Sequence, residues 1–294
     1  MHTHTTCCDG NNTIEEMIQD AVKAGFDVLG FSGHSYTSYD ERYCMSREDT
    51  AFYQDEVRRL AEKYKNQIHI LCGIEQDRYA DDAPDTYDYA IGSVHTFFRP
   101  CTPLEMQEVC AHAPESIIPD ENGCYIYADW SDQAMEWAID ILYGGNPAAL
   151  AEDYFETVAS YAEDADIQIV GHFDLLTKFE ELRVKNGKQP LFDTEHPRYL
   201  DAARRAIEAL CAAGKIFEIN TGAMSKNYRT SPYPSLPLLR MIYQAGGRIM
   251  INSDCHAAGK LDCGYEEAKE LARQAGYKYL SYPLSGGKIT EVPL

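Results

Sequence analysis

The chain has 294 residues, with 26 Lys or Arg against 47 Asp or Glu, a formal net charge of −21. Apolar residues at 45% and charged residues at 25% give ample material for a core and exclude wholesale disorder. No apolar run approaches the roughly 18 residues of a membrane helix, and no basic block offers the clustered cations that a nucleic-acid partner requires.

The predicted elements alternate between helix and strand. Thr13-Ile14-Glu15-Glu16 has the form of a capping box, and Ile14, Met17, Ile18, Ala21 and Val22 follow at helical spacing until Gly25. Residues 26–31 read as a short apolar strand. A helix over about 49–64 leads into a strand at 68–74. Further strands are predicted at 89–94, 167–170, 216–219 and 248–251, with helices at about 195–213, 235–245 and 265–275. This alternation means parallel βαβ units. These six strands, within an expected total of seven or eight in one chain, point to a (β/α) barrel. Two irregularities stand out. Residues 75–87 are too few for a crossover helix with its loops, and about 97–166 is a long excursion carrying Pro100, Pro103, Pro114, Pro119 and Pro147 among helical stretches. The expectation is one domain over 1–294, with 97–166 inserted as a cover over one face.

The opening MHTHTTCCDGNN has neither the basic stretch nor the apolar run of a secretory signal, so the expected address is cytoplasmic. The ten cysteines include no CxxC and are expected as reduced thiols packed like small apolar residues.

Histidines and acids cluster at predicted strand ends. His34, Glu75, His95, His172 and the pair Asp254 and His256 each follow a strand. His2 and His4 sit two apart, so in extended chain both face the same way. In a (β/α) barrel these ends converge on one mouth. Six histidines and two acids there exceed the needs of a single acid–base pair and suit more than one divalent metal. His69, His112 and His196 fall outside the pattern and are expected to be ordinary structural residues.

His2-Thr-His4 with Asp9-Gly10, Ser-Gly-His34, Gly-Ile-Glu75, Gly-Ser-Val-His95, Gly-His172-Phe-Asp174 and Ser-Asp254-Cys-His256 resemble, in that order, the motifs of the polymerase-and-histidinol-phosphatase (PHP) superfamily. GSVH, GHFDLLTK and EINTGA are most similar to its histidinol-phosphate phosphatase branch. The resemblance implies an α/β fold, a distorted (β/α)7-type barrel, with two to three divalent ions such as Zn, Mn, Fe or Co. It implies that His2, His4, Glu75 and Asp254 hold one metal. Glu75 would bridge to a second held by His95 and His172, and His34 and His256 with Asp9 would hold a third. Only Met1 precedes His2, so the first barrel strand is expected to be nearly absent and the first metal site looser.

The implied reaction is attack of a metal-bridged hydroxide on a phosphate ester, with Glu75, His95 and Asp254 as the catalytic set. A small phosphorylated substrate is expected, with neither nucleic acid nor membrane as partner. Lys178, Lys226 and Arg229 lie beyond strand ends, and basic residues in these stretches of the resembling enzymes bind phosphate. L-Histidinol phosphate is the substrate implied, another small phosphate such as a nucleotide or sugar phosphate being the alternative. Asp77 is a candidate to face the cationic part of such a ligand.

Overall fold

The computed structural model describes residues 1–284 and 288–294. In chain order the strands are β1 (Val28–Phe31), β2 (His69–Asp77), β3 (Tyr89–Ser93), β4 (Thr96–Pro100), β5 (Ile117–Asp120), β6 (Gly123–Tyr127), β7 (Ile169–Val170), β8 (Ile216–Asn220), β9 (Arg248–Asn252), β10 (Tyr279–Leu284) and β11 (Lys288–Pro293). Six of them, β1-β2-β3-β7-β8-β9, form one parallel sheet in that order. The sheet curls, and residues 2–4 lie between its two edges. Cys255 N donates to His2 O at 3.1 Å and His4 N to Cys255 O at 2.9 Å, while Ser32 N donates to Thr3 O at 3.0 Å. The ring is therefore six strands plus a stub, a distorted barrel in which the expected first strand is reduced to three residues.

Period-2 alternation explains how one barrel interior is both core and site. Leu71, Tyr89, Ile91, Ile169, Ile216 and Met250 form a small apolar cluster inside the ring. Two and four residues further along the same inward rows come Glu75 after Gly73, Glu218 then Asn220, and Asn252 then Asp254. Gly73 is needed where it stands, because a Cβ there would lie 2.3 Å from the Tyr89 ring. The apolar floor thus becomes polar at the C-terminal mouth. A larger core packs the outer helices on the sheet, with Phe31, Tyr53, Phe155, Tyr199 and Phe217 fully buried.

The helices follow their end signals. The first, Ile14–Ala24, has the Thr13/Glu16 capping box and ends at Gly25 with φ 81°. Arg47–Tyr64 starts two residues earlier than predicted because Ser46 Oγ accepts from Asp49 N. Pro197–Ala212, Leu236–Gln244 and Tyr265–Ala275 fall where the periodicity places them. No helix separates β2 from β3, as the short connection requires.

The excursion differs from its expected helical character. β4, β6 and β5 form a three-stranded antiparallel sheet beside the helices Pro103–His112, Asp132–Leu142 and Pro147–Ala159. Its prolines misled because they sit where structure tolerates them. Pro103 and Pro147 open helices, and Pro100 and Pro119 lie on the two outer strands. The antiparallel pair β10-β11 was also not foreseen. All ten cysteines are free thiols. No helix among the described residues is long and apolar enough to cross a membrane.

Candidate metal centre

Glu75 stands at the centre of the mouth, 2% exposed. Its Oε2 lies 3.2 Å from His2 Nε2, 3.5 Å from His4 Nε2 and 3.0 Å from His34 Nδ1. Its Oε1 faces the other way, 3.1 Å from His172 Nε2 and 3.4 Å from His95 Nε2. One carboxylate therefore looks at two separate sets of imidazoles. Asp254 Oδ1 is 3.1 Å from His4 Nε2 and 3.7 Å from His2 Nε2. Asp9 approaches His34 Nε2 at 3.6 Å and His256 Nε2 at 3.1 Å.

The local fold aims these groups. His2 and His4 point inward from the stub, and Thr3 between them bridges to Cys255. Asp254 adopts φ 48°, unusual for a residue with a side chain. Facing it is Gly222, where a Cβ would lie 2.8 Å from Asp254 Oδ2. His2 Nδ1 donates to Glu218 Oε1 at 2.6 Å, leaving Nε2 directed at Glu75. Asp77 does the same for His95, 3.3 Å from Nδ1. Its place behind the imidazole and outside the cavity wall does not match the expected contact with a cationic ligand. Carboxylates behind imidazoles fix the tautomer a metal needs.

Burial works against charge on Glu75 and Asp254, but the surrounding imidazoles outweigh it and hold both carboxyls well below the usual range. At His2, burial is outweighed by Glu218, Glu75 and Asp254, and the pKa rises. Burial, then His256 and His34, push His4 down to about 3. His2 Nε2, His4 Nε2 and Glu75 Oε2 are buried without a hydrogen-bond partner. Such orphaned groups are expensive. Divalent cations would satisfy them, and imidazole with carboxylate is a donor set such cations accept.

Among the described residues there are three groups whose donor atoms lie within 4.8 Å of one another inside the group, His4/Asp9/His34/His256, His2/His4/Asp254 and His34/Glu75/His95. The structure thus gathers every residue expected to hold metal, with His172 joined through Glu75. His4 and His34 each belong to two groups, where the resemblance gave each to one.

Above the cluster opens a cavity of about 330 Å³. Lys178 and Lys226 line it. Lys178 Nζ is 2.8 Å from Asp129 Oδ2, and Lys226 Nζ is 3.4 Å from His256 Nε2. Arg229 is not on the wall. Its guanidinium donates to Thr177 Oγ1 at 2.6 Å and Ser231 O at 3.2 Å, and covers the Tyr233 ring at 4.4 Å. His196 accepts from Arg198 N as a helix cap, and His112 packs on Trp137.

The residues that sequence reasoning missed are Glu218, Asp129, Tyr43, Tyr127 and Trp130. Glu218 left a signal, an acid at the inward position of an otherwise apolar strand. Tyr127 ends β6, in the excursion whose strands were not foreseen, and Asp129, Tyr43 and Trp130 line the cavity from connecting segments, where no periodicity exists to read.

Comparison with known proteins agrees with this geometry. The chain is 27% identical over 293 residues to the "Probable histidinol-phosphatase" of Schizosaccharomyces pombe, covering 94% of this chain and 85% of that one. It is 25% identical over 289 residues to the histidinol-phosphatase of Bacillus subtilis, covering 90% and 96%. The histidinol phosphate phosphatase of Lactococcus lactis, solved with zinc, L-histidinol and phosphate, shares the fold. Its TM-score is 0.66 at 18% identity, over 98% of this chain and 97% of that one. Residues 1–222 match the PHP domain, and with most of the chain so matched around a mouth of buried His, Asp and Glu, this protein belongs to the PHP domain family.

Proposed function

We propose that the protein is a metal-dependent phosphomonoesterase that hydrolyses L-histidinol phosphate to L-histidinol and phosphate, as a step of histidine biosynthesis. The observation that carries this reading is the divided outlook of Glu75, one oxygen toward His2, His4 and His34 and the other toward His95 and His172, beneath a cavity of small-molecule size. The names of the two curated relatives support the substrate.

His2, His4, Glu75 and Asp254 would hold one divalent ion. His95 and His172 with Glu75 would hold a second, and Asp9, His34 and His256 a third. Bound metals supply Lewis acidity at the phosphoryl oxygens and a water of lowered pKa. The chain supplies the rest. Lys178 and Lys226 reach the phosphate oxygens from the wall, which matters in a protein of net charge −21 that repels dianions elsewhere. Asp129 is the acid placed to meet an ammonium or imidazole, and Tyr127 and Trp130 flank it. Arg229 acts through Tyr233, holding that wall in place.

The test is a phosphate-release panel on metal-loaded protein, with L-histidinol phosphate beside nucleoside monophosphates and sugar phosphates. L-Histidinol phosphate should give the highest kcat/KM. Glu75→Gln, which removes the charge shared between two sets of ligands, should abolish turnover and lower bound metal by elemental analysis. A fully active metal-free preparation would overturn the metal chemistry. Preference for a nucleotide would overturn the substrate alone.

A further inference from the structure

Nine large apolar side chains among the described residues are at least 39% exposed, and of these Trp130 alone lines the cavity. It is 40% exposed, while Tyr127 and Leu175 on the same wall are buried. Two groups pack on the indole. The Tyr127 ring lies 5.6 Å away between centroids, and the Arg42 guanidinium sits 4.5 Å over the ring.

That packing rests on a built support. Arg42 Nε donates to Asp40 Oδ1 at 2.8 Å, and Arg42 Nη2 to Glu115 O at 2.6 Å. Asp40, itself buried, also accepts from the Tyr127 hydroxyl. One carboxylate thus fixes both groups that hold the indole. The chain around it is short as well, three residues between the end of β6 and Ser131, which caps the next helix.

Lone apolar side chains on an open surface are ordinary. This one borders a cavity of small-molecule size with its orientation already fixed. Covering its exposed area with a flat ring is favourable, an aromatic pair adds to that, and a side chain held in place loses little freedom on binding. With a guanidinium already on the indole, a second cation there is repelled, so the surface suits a ligand's ring and not its ammonium. Asp129, the preceding residue, is the acid on the same wall and pairs with Lys178. Polar and aromatic contacts therefore adjoin.

We propose that Trp130 is a specificity-determining residue that packs against the imidazole ring of L-histidinol phosphate. The proposal rests on the phosphomonoesterase reading above.

Trp130→Ala should lower kcat/KM for L-histidinol phosphate and raise the inhibition constant of L-histidinol, each by about 10- to 100-fold. Trp130→Phe, which keeps a ring, should return both to within about threefold of wild type. O-Phosphoethanolamine carries a phosphate and an ammonium but no ring. Whether it acts as substrate or as competitive inhibitor, its constant should change by less than about twofold in Trp130→Ala. Metal content should not change. The chain has two tryptophans, so Trp137→Phe leaves Trp130 as the single reporter. Its emission should move to shorter wavelength when L-histidinol is added to metal-loaded protein, and stay in place with O-phosphoethanolamine. Equal losses for ringed and ringless ligands, no loss for L-histidinol phosphate, Trp130→Phe as weak as Trp130→Ala, or emission that stays fixed while L-histidinol inhibits would each overturn the proposal. A wild-type protein that releases phosphate from neither compound overturns the phosphomonoesterase reading and the proposal with it. Hydrolysis of L-histidinol phosphate with equal losses in Trp130→Ala overturns the proposal alone.

Discussion

Replacing Glu218 by Gln should loosen the metal centre more than it loosens the fold. Oε1 of Glu218 accepts from His2 Nδ1 at 2.6 Å and Asn252 Nδ2 at 2.8 Å. Oε2 accepts from His172 N at 3.0 Å and Asn220 Nδ2 at 2.8 Å. Glutamine has one oxygen, so its NH2 must oppose two of these donors. Hydrogen bonds to a charged acceptor are worth about 1.5–3 kcal/mol each. Asn220 and Asn252 are held as they stand, their Oδ1 atoms accepting from Gly222 N and Met1 N, so two opposed donors at the low end of that range cost about 3 kcal/mol. That is within the usual stability of a folded chain, about 5–15 kcal/mol, so the variant should fold. The melting temperature should drop by about 6–12 °C. At the centre the effect is sharper. If the amide nitrogen faces His2, the ring proton must move to Nε2, the atom aimed at Glu75, and that nitrogen can no longer bind a cation. Zinc affinity, measured by chelator competition, should fall about 10- to 100-fold. Affinity within about threefold of wild type would show that Glu218 does not set the tautomer of His2.

Two further outcomes follow from groups away from the ligands. Lys178→Ala should keep its metals and lose about 10- to 150-fold in kcat/KM for L-histidinol phosphate, the worth of one charge-assisted phosphate contact. A change below about twofold would mean that Lys178 serves only to pair Asp129. Glu180 is different in kind. Burial pushes its pKa from 4.5 up to about 7 despite hydrogen bonds from Leu191 and Phe192. Below pH 4.5 it is protonated whether folded or not. As pH rises from 4.5 to 7 the unfolded chain ionises first, so stability falls through that window. Glu180→Gln can still accept from Leu191 N, and it should gain about 1–2 kcal/mol over wild type between pH 4 and pH 8, discounted for partial exposure. Urea melts at both pH values measure this, and a constant difference would refute it.

Much of the site was legible in the sequence, because a (β/α) barrel converts a linear signal into a spatial one. A titratable residue directly after an apolar run must emerge at the mouth, and His34, Glu75, His95, His172, Asp254 and His256 all do. The helices were legible for the same local reason, through Thr13/Glu16 and Gly25. Three things were not. β4, β5 and β6 pair with one another across a helix, and their prolines read as breaks when pairing was invisible. Arg229 looked like a phosphate ligand by its position, but Thr177 and Ser231 lie close enough to take its donors. Asp129 and Tyr43 reach the cavity from loops, whose course depends on tertiary packing and leaves no repeat in the sequence.

Barrel closure and the candidate metal ligands meet in the same three residues. The backbone of the stub joins the sheet edges through the hydrogen bonds among His2, Thr3, His4, Ser32 and Cys255, far fewer than a full strand would make. The side chains of that stub face Glu75 from β2 and Asp254 just past β9. A cation held by His2, His4, Glu75 and Asp254 would therefore cross-link the stub to both flanks of the ring. Cation affinity that exists only in the folded state adds to folding stability. The carboxylates and imidazoles that would strain an apolar interior if left alone would, with metal, become ties across the seam of the barrel.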